Sequence, residues 1–149
     1  MVDITLKNKI LNSIPQKSPF RFIEDIIEIS EKHIIGKYTF KINEFFYEGH
    51  FPNKPVTPGV IILETMAQTG VVALGIYLEM INNKPLNKLT LFTEAQVEFL
   101  NQVEPKETVL IRGDLIYYRK NKIKSKVEVK KENGILVALG ELAGVGIEQ

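Results

Sequence analysis

Three positions between residues 50 and 64 could do acid–base chemistry beside a carbonyl: His50, Gly59 and Glu64. His50 sits in the run Glu48-Gly49-His50-Phe51-Pro52. Imidazole is the side chain whose ordinary pKa leaves a neutral base available near neutrality, and the neighbouring Phe51 and prolines hold the backbone around it. Glu64 stands between Leu63 and Thr65 in a stretch almost free of other charge. Desolvation makes such a carboxyl keep its proton to higher pH, so it can serve as an acid. Gly59 follows Thr57-Pro58 and opens a helix. The free amides and positive dipole end of a helix start can polarise a carbonyl oxygen, and glycine lets that oxygen come close. Each residue alone has a plainer explanation: a loop histidine, a Pro-Gly helix start, a glutamate paired with a neighbour. Together they make a base, a carbonyl-polarising amide and a proton donor, the set that removes a proton α to a carbonyl and expels a β-substituent. Gln68, four residues after Glu64, shares its helix face and is placed to hydrogen-bond it. Phe51 and Pro58 are expected to support the site. His33 is read as structural. With two His and no Cys, a metal site lacks good ligands, and none is expected.

These residues need a stiff loop and a buried helix. Residues 43–58 contain three prolines together with Gly49 and Asn53, which predicts the loop. Thr57 suits an N-cap and Pro58 the first helical position. The helix is expected to run to about Asn82, with Pro85 as a stop. Its apolar residues, from Val60 through Met66 and Val72 to Met80, fall on every face, so something must wrap it. Strands are predicted over 20–30, 33–42, 88–100, 107–118, 122–131 and 135–146. Asn133-Gly134 signals a two-residue hairpin turn between the last two. The run 122–130 alternates, placing lysines on a wet face and apolar residues on the other. Ile4, Leu6, Ile10 and Leu11 predict a short amphipathic helix at the start. The resulting class is α+β: one domain over 1–149, a curved antiparallel sheet around a long central helix. A curved sheet leaves edges and uncovered apolar surface, which a second copy would cover.

Composition removes several function classes. The chain has 149 residues, 44% hydrophobic and 25% charged, with a formal net charge of +1. Neither nucleic acid nor an anionic membrane is favoured by that balance. The lysines of 122–130 lack interleaved aromatics and read as a solvated strand face. The first residues mix charges with single apolar side chains, unlike a signal peptide. Glu64, Gln68 and Glu79 interrupt the most apolar window, Val60 to Met80, so no apolar run reaches the ~18 residues of a membrane span. A cytoplasmic protein is expected.

The stretch from Asn43 to Gln68, with Gly49-His50-Phe51-Pro52, Pro58-Gly59 and Leu63-Glu64, resembles the signature of the (3R)-hydroxyacyl-acyl-carrier-protein dehydratases of dissociated fatty acid synthesis, the FabZ type. Weaker similarity runs from Ile14-Pro15 through Pro19-Phe20 to Glu24, and in strand order through the C-terminus. The resemblance implies the hot-dog fold and dehydration of hydroxyacyl thioesters to trans-2-enoyl thioesters. It implies His50 and Glu64 as catalytic residues and the Gly59 amide as the binder of the thioester carbonyl. It also implies active sites at a dimer interface, His50 of one subunit facing Glu64 of the other, in a homodimer or trimer of dimers. The substrate would arrive from acyl carrier protein on a phosphopantetheine arm, with no other cofactor, and its chain would lie in an apolar tunnel between subunits. Glu at 64 is like the dehydratases and unlike the related dehydratase-isomerases, which carry Asp there.

The chain departs from the family pattern at two places. Pro15-Gln16-Lys17 stands where Pro-His-Arg is common, and Val97 to Glu107 is richer in acids than the usual basic segment. Because complementary charge steers carrier docking, the second departure leaves open a carrier from a polyketide-like or other specialised pathway, or an acyl chain of unusual length or shape. Two other readings share the fold: a thioesterase that hydrolyses the same bond, and an acyl-binding subunit without catalysis. Retention of both His50 and Glu64 favours the dehydratase over the latter.

Overall fold

The computed structural model describes residues 2–149. In chain order it contains α1 (Ile4–Ser13), β1 (Asp25–Ile29), β2 (His33–Thr39), a 3-10 turn (Phe45–Tyr47), the central helix, β3 (Lys88–Phe99), β4 (Thr108–Arg119), β5 (Lys122–Lys131) and β6 (Leu136–Glu148). The six strands make one antiparallel sheet in the order β1-β2-β4-β5-β6-β3. Side-chain alternation decides which way it faces. On β5, Ile123, Ser125, Val127 and Val129 are buried against the helix, while Lys122 and Lys124 reach Glu94 on the outside.

The central helix has three parts: α2 (Gly59–Ala67), a π-helical segment (Gln68–Ala73) and α3 (Leu74–Ile81). Every residue from Thr65 to Leu74 is buried. By length and a mean hydropathy of 1.6 the 23-residue helix would suffice to cross a membrane, but 67% of that apolar window is buried inside the fold, as suits a core helix. Its middle lies very close to the sheet. A Cβ on Gly113 would stand 2.8 Å from the Gly70 Cα, and one on Gly70 would stand 2.6 Å from a Val127 methyl. The Ser125 hydroxyl donates to the Gly70 carbonyl at 2.7 Å. Gly113→Ala should therefore overpack this crossing and destabilise the fold by about 1–3 kcal/mol. Urea unfolding checks this, with a lowered midpoint as the expected result.

The sheet edges differ. β1 has five residues and a bulge between Ile26 and Glu28, and Asp25 is paired with Lys7 at 2.8 Å. β3 has twelve residues, is paired only with β6, and leaves Leu91, Phe92 and Phe99 about half exposed.

Several local expectations are corrected. The first strand begins at Asp25 rather than at residue 20, because the Phe22 amide donates to the Gln68 side chain instead of a neighbouring strand. Thr57 does not cap the helix: Pro58 holds that position, and the Thr57 hydroxyl bonds the Tyr47 hydroxyl at 2.7 Å. The helix is not α throughout, since the Leu74 amide reaches back to Thr69 in the π segment. The hairpin at Asn133-Gly134 is longer than two residues, with the Gly134 amide bonded to the Lys131 carbonyl and Gly134 at φ +89°. The tight two-residue turn is instead Lys120-Asn121, both at positive φ. The amphipathic helix at the start, the four later strands and the wet lysine face agree with expectation.

Candidate active site

The loop carrying His50 is held from both sides. The His50 carbonyl accepts from the Val56 amide at 3.0 Å, Phe51 and Lys54 exchange amide hydrogen bonds, and the Thr57 amide donates to Val103. Burial pushes the Tyr47 hydroxyl up to about 12, so it stays protonated in its bond with Thr57 and ties the 3-10 turn to the helix start. The peptides Ser18–Pro19 and His50–Phe51 are cis.

His50 is half-buried and stacks on Phe51 with ring centroids 4.0 Å apart. Its Nδ1 lies 2.8 Å from the Val56 carbonyl oxygen. A carbonyl only accepts, so Nδ1 carries the hydrogen and the neutral ring presents a lone pair at Nε2. That is the tautomer a general base needs.

Pro58 is buried and sets the helix start, its carbonyl accepting from the Ile61 and Ile62 amides. The Gly59 and Val60 amides have no acceptor among the described residues, and both residues are exposed. The nearest neighbour of a Cβ on Gly59 would be the Phe99 ring, at 3.6 Å.

Glu64 lines a recess with Gln16, Ala67, Val71, Val72 and Phe92. Burial raises its pKa above the ordinary value of 4.5, and the hydrogen bond from Gln68 partly offsets this. Gln68 is fully buried and anchored three ways: its Nε2 donates to Glu64 Oε2 at 2.8 Å and to the Phe20 carbonyl at 3.0 Å, and its Oε1 accepts from the Phe22 amide at 2.7 Å. It therefore holds the carboxyl in one orientation. Because the folded state binds this proton more tightly than the unfolded chain, stability is full below the ordinary glutamate value and falls as pH rises through the raised one. Glu64→Gln removes that loss. Thermal melts should show the variant more stable than the parent at neutral and alkaline pH, the two converging below about pH 4.

Of the expected site residues, Glu64 and Gln68 are in direct contact, and His50 and Phe51 are in direct contact. His50 and Glu64 share no hydrogen bond within one chain, and His50 does not line the Glu64 recess. Gln16, noted in the sequence only as a departure, lines the Glu64 recess, and its Oε1 is buried without a partner among the described residues. His33 bonds Ser30 and Glu28, as a structural residue does. Phe99 beside Gly59 carried no signal in the sequence, because the contact joins residues 40 positions apart.

Comparison with known proteins places this geometry in a family. Residues 14–139 match the model of the FabA-like domain. The chain is 38% identical over 136 residues to a 3-hydroxyacyl-acyl-carrier-protein dehydratase FabZ of Acetivibrio thermocellus, covering 90% of this chain and 89% of that one. It is 37% identical over 137 residues to the FabZ of Caldicellulosiruptor bescii, covering 91% and 94%. Among solved structures, the dehydratase heterocomplex ApeI:P of Xenorhabdus doucetiae superposes with a TM-score of 0.80 at 15% identity, over 94% of this chain and 91% of that one. A hypothetical thioesterase protein of Streptococcus pneumoniae, with coenzyme A, gives 0.60 at 11% identity, over 84% and 86%, a likeness that shows the fold alone. With the antiparallel sheet wrapped around its central helix, and with these relatives matching almost end to end, the chain belongs to the FabA-like family and has the hot-dog fold of the FabZ-type dehydratases.

Proposed function

We propose that this protein dehydrates (3R)-hydroxyacyl thioesters, presented on acyl carrier protein in the cytoplasm, to trans-2-enoyl thioesters. The observation that carries the assignment of roles is the Nδ1 contact of His50 with the Val56 carbonyl, which leaves Nε2 free as a base. His50 Nε2 takes the α-proton. The electron pair moves toward the thioester carbonyl, whose oxygen is stabilised by the Gly59 amide and the helix dipole. As the enolate collapses, the bond from Cβ to the hydroxyl breaks, and protonated Glu64 donates to the departing oxygen, releasing water. The oxidation state of the substrate as a whole is unchanged, so the chemistry calls for no redox partner, and phosphopantetheine enters only as the arm of the substrate.

The base and the acid act from different subunits in this reading, and within one chain no hydrogen bond joins them. A second copy paired along β3 would cover Leu91, Phe92 and Phe99 and bring a partner toward the exposed Gly59. The test is to mix the protein with (3R)-hydroxyacyl carriers and follow enoyl-thioester absorbance. Appearance of enoyl product is the expected result; release of free thiol without it would identify a thioesterase instead.

A further inference from the structure

The recess beside Glu64 borders another along the central helix. Val71, Val72 and Thr90 line both that recess and a second one, which runs past Gly75, Ile76 and Ile123 to Glu79, Lys88 and Tyr118. The walls between its ends are apolar, and the far end is not. Glu79 is only 8% exposed. Its Oε1 accepts from Lys88 Nζ at 3.2 Å and from the Tyr118 hydroxyl, while its Oε2 is buried with no partner among the described residues. Lys88 also donates to Asn121 in the turn between β4 and β5. Burial and the neighbouring Glu79 push the Tyr118 ionisation upward, so its hydroxyl stays a donor. α3, β3 and β4 thus meet in a polar plug at the far end of two adjoining, mostly apolar recesses. Fastening α3 to the sheet does not require one, since an apolar set of similar volume is commonly as stable as a buried ion pair.

We infer that Glu79, Lys88 and Tyr118 form the stop that sets the longest acyl chain this enzyme accepts, an inference that rests on the dehydratase reading above. Glu64 and Glu79 are fifteen residues apart, at most about 22 Å along the helix, since the π-helical segment between them rises less than the 1.5 Å per residue of an α-helix. A chain growing from the reacting carbons meets apolar walls until its terminal methyl reaches the plug. To go farther it must displace partners of a buried carboxylate and ammonium and offer no hydrogen bond in return. Chains that end before the plug fit, and longer ones are refused.

The experiment measures kcat/KM for dehydration across a series of short-, medium- and long-chain (3R)-hydroxyacyl carriers and takes the long-to-short ratio. The variants are Glu79→Leu/Lys88→Met/Tyr118→Phe, which removes the plug and takes a partner only from the solvent-exposed Asn121 side chain, and Gly75→Leu, which fills the recess ahead of it. A Cβ on Gly75 meets only Ile123, at 3.8 Å, so the added side chain has room to enter the recess. One misfitting methylene in an apolar pocket changes discrimination by roughly ten- to two-hundredfold. The ratio is expected to rise about tenfold or more in the triple variant and to fall by a similar factor in Gly75→Leu. A folded triple variant with the parent's ratio overturns the inference, as does a parent that handles long chains as well as short ones. If the triple variant does not fold, an unchanged ratio in Gly75→Leu overturns it. Absence of turnover at every length in the parent overturns the dehydratase reading itself and the inference with it.

Discussion

His50→Ala is expected to lower kcat for dehydration by roughly a hundred- to ten-thousandfold, the usual contribution of a positioned general base. The fold should survive. The imidazole is half-buried, its recorded polar bond is to the Val56 carbonyl, and the loop is held by backbone bonds at His50, Phe51, Lys54, Val56 and Thr57 that the substitution leaves in place. Losing that hydrogen bond should cost on the order of 1 kcal/mol. A proton abstracted only in the transition state contributes little to ground-state binding, so KM should change much less than kcat. Enoyl-thioester absorbance under saturating substrate, with a thermal melt of the same sample, separates the two effects. A loss smaller than about tenfold in a folded variant would remove His50 from the role of base.

Mixing two inactive variants should restore activity. If each site takes His50 from one subunit and Glu64 from the other, His50→Ala and Glu64→Ala homodimers each lack one group at both sites. A dimer with one chain of each kind has one site with both groups and one with neither. Random exchange makes half the dimers mixed, so activity should recover to about a quarter of the unmutated enzyme for a two-fold-symmetric pair. If both groups worked within one chain, no mixed dimer would hold a complete site and nothing would return. Glu64→Ala is suited to this use because Gln68 keeps its bonds to Phe20 and Phe22 when its bond to Glu64 is lost. The measurement is activity after unfolding and refolding the mixture together, against each variant refolded alone.

Most of the frame was legible because it is periodic. The alternation of Lys122 to Lys130 gave β5 its wet and dry faces, and the all-round apolar run after Gly59 gave the core helix. Glu64 was legible as a charge where charge is expensive, and His50 as a base in a stiffened loop. What escaped the sequence depends on contacts between distant positions. Gln68 was placed beside Glu64 by its i+4 spacing, but its other two bonds join residues 46 and 48 positions away, and these make it a rigid clamp. They also explain why residues 20–24 are not strand. Thr57 has the right chemistry for a cap, but Tyr47, ten residues earlier, takes its hydroxyl. The π segment uses residues that an α-helix would equally accept, and the close crossing of Gly70 with Gly113 sits within it. Glu79 was visible only as an interruption of an apolar window; its partners lie 9 and 39 residues away on two strands.

The unequal edges of the sheet bear on how large an assembly strand pairing can build. A sheet with two long, flat, open edges can add copies without end, as fibrils do. Here one border is short, kinked and tied down by an ion pair, and the other is long, open and apolar. Two copies joined through β3 would each use up their single adhesive border and leave only blunt ones outward. Growth by strand addition then terminates at two, and any larger ring must be held by surfaces other than the sheet.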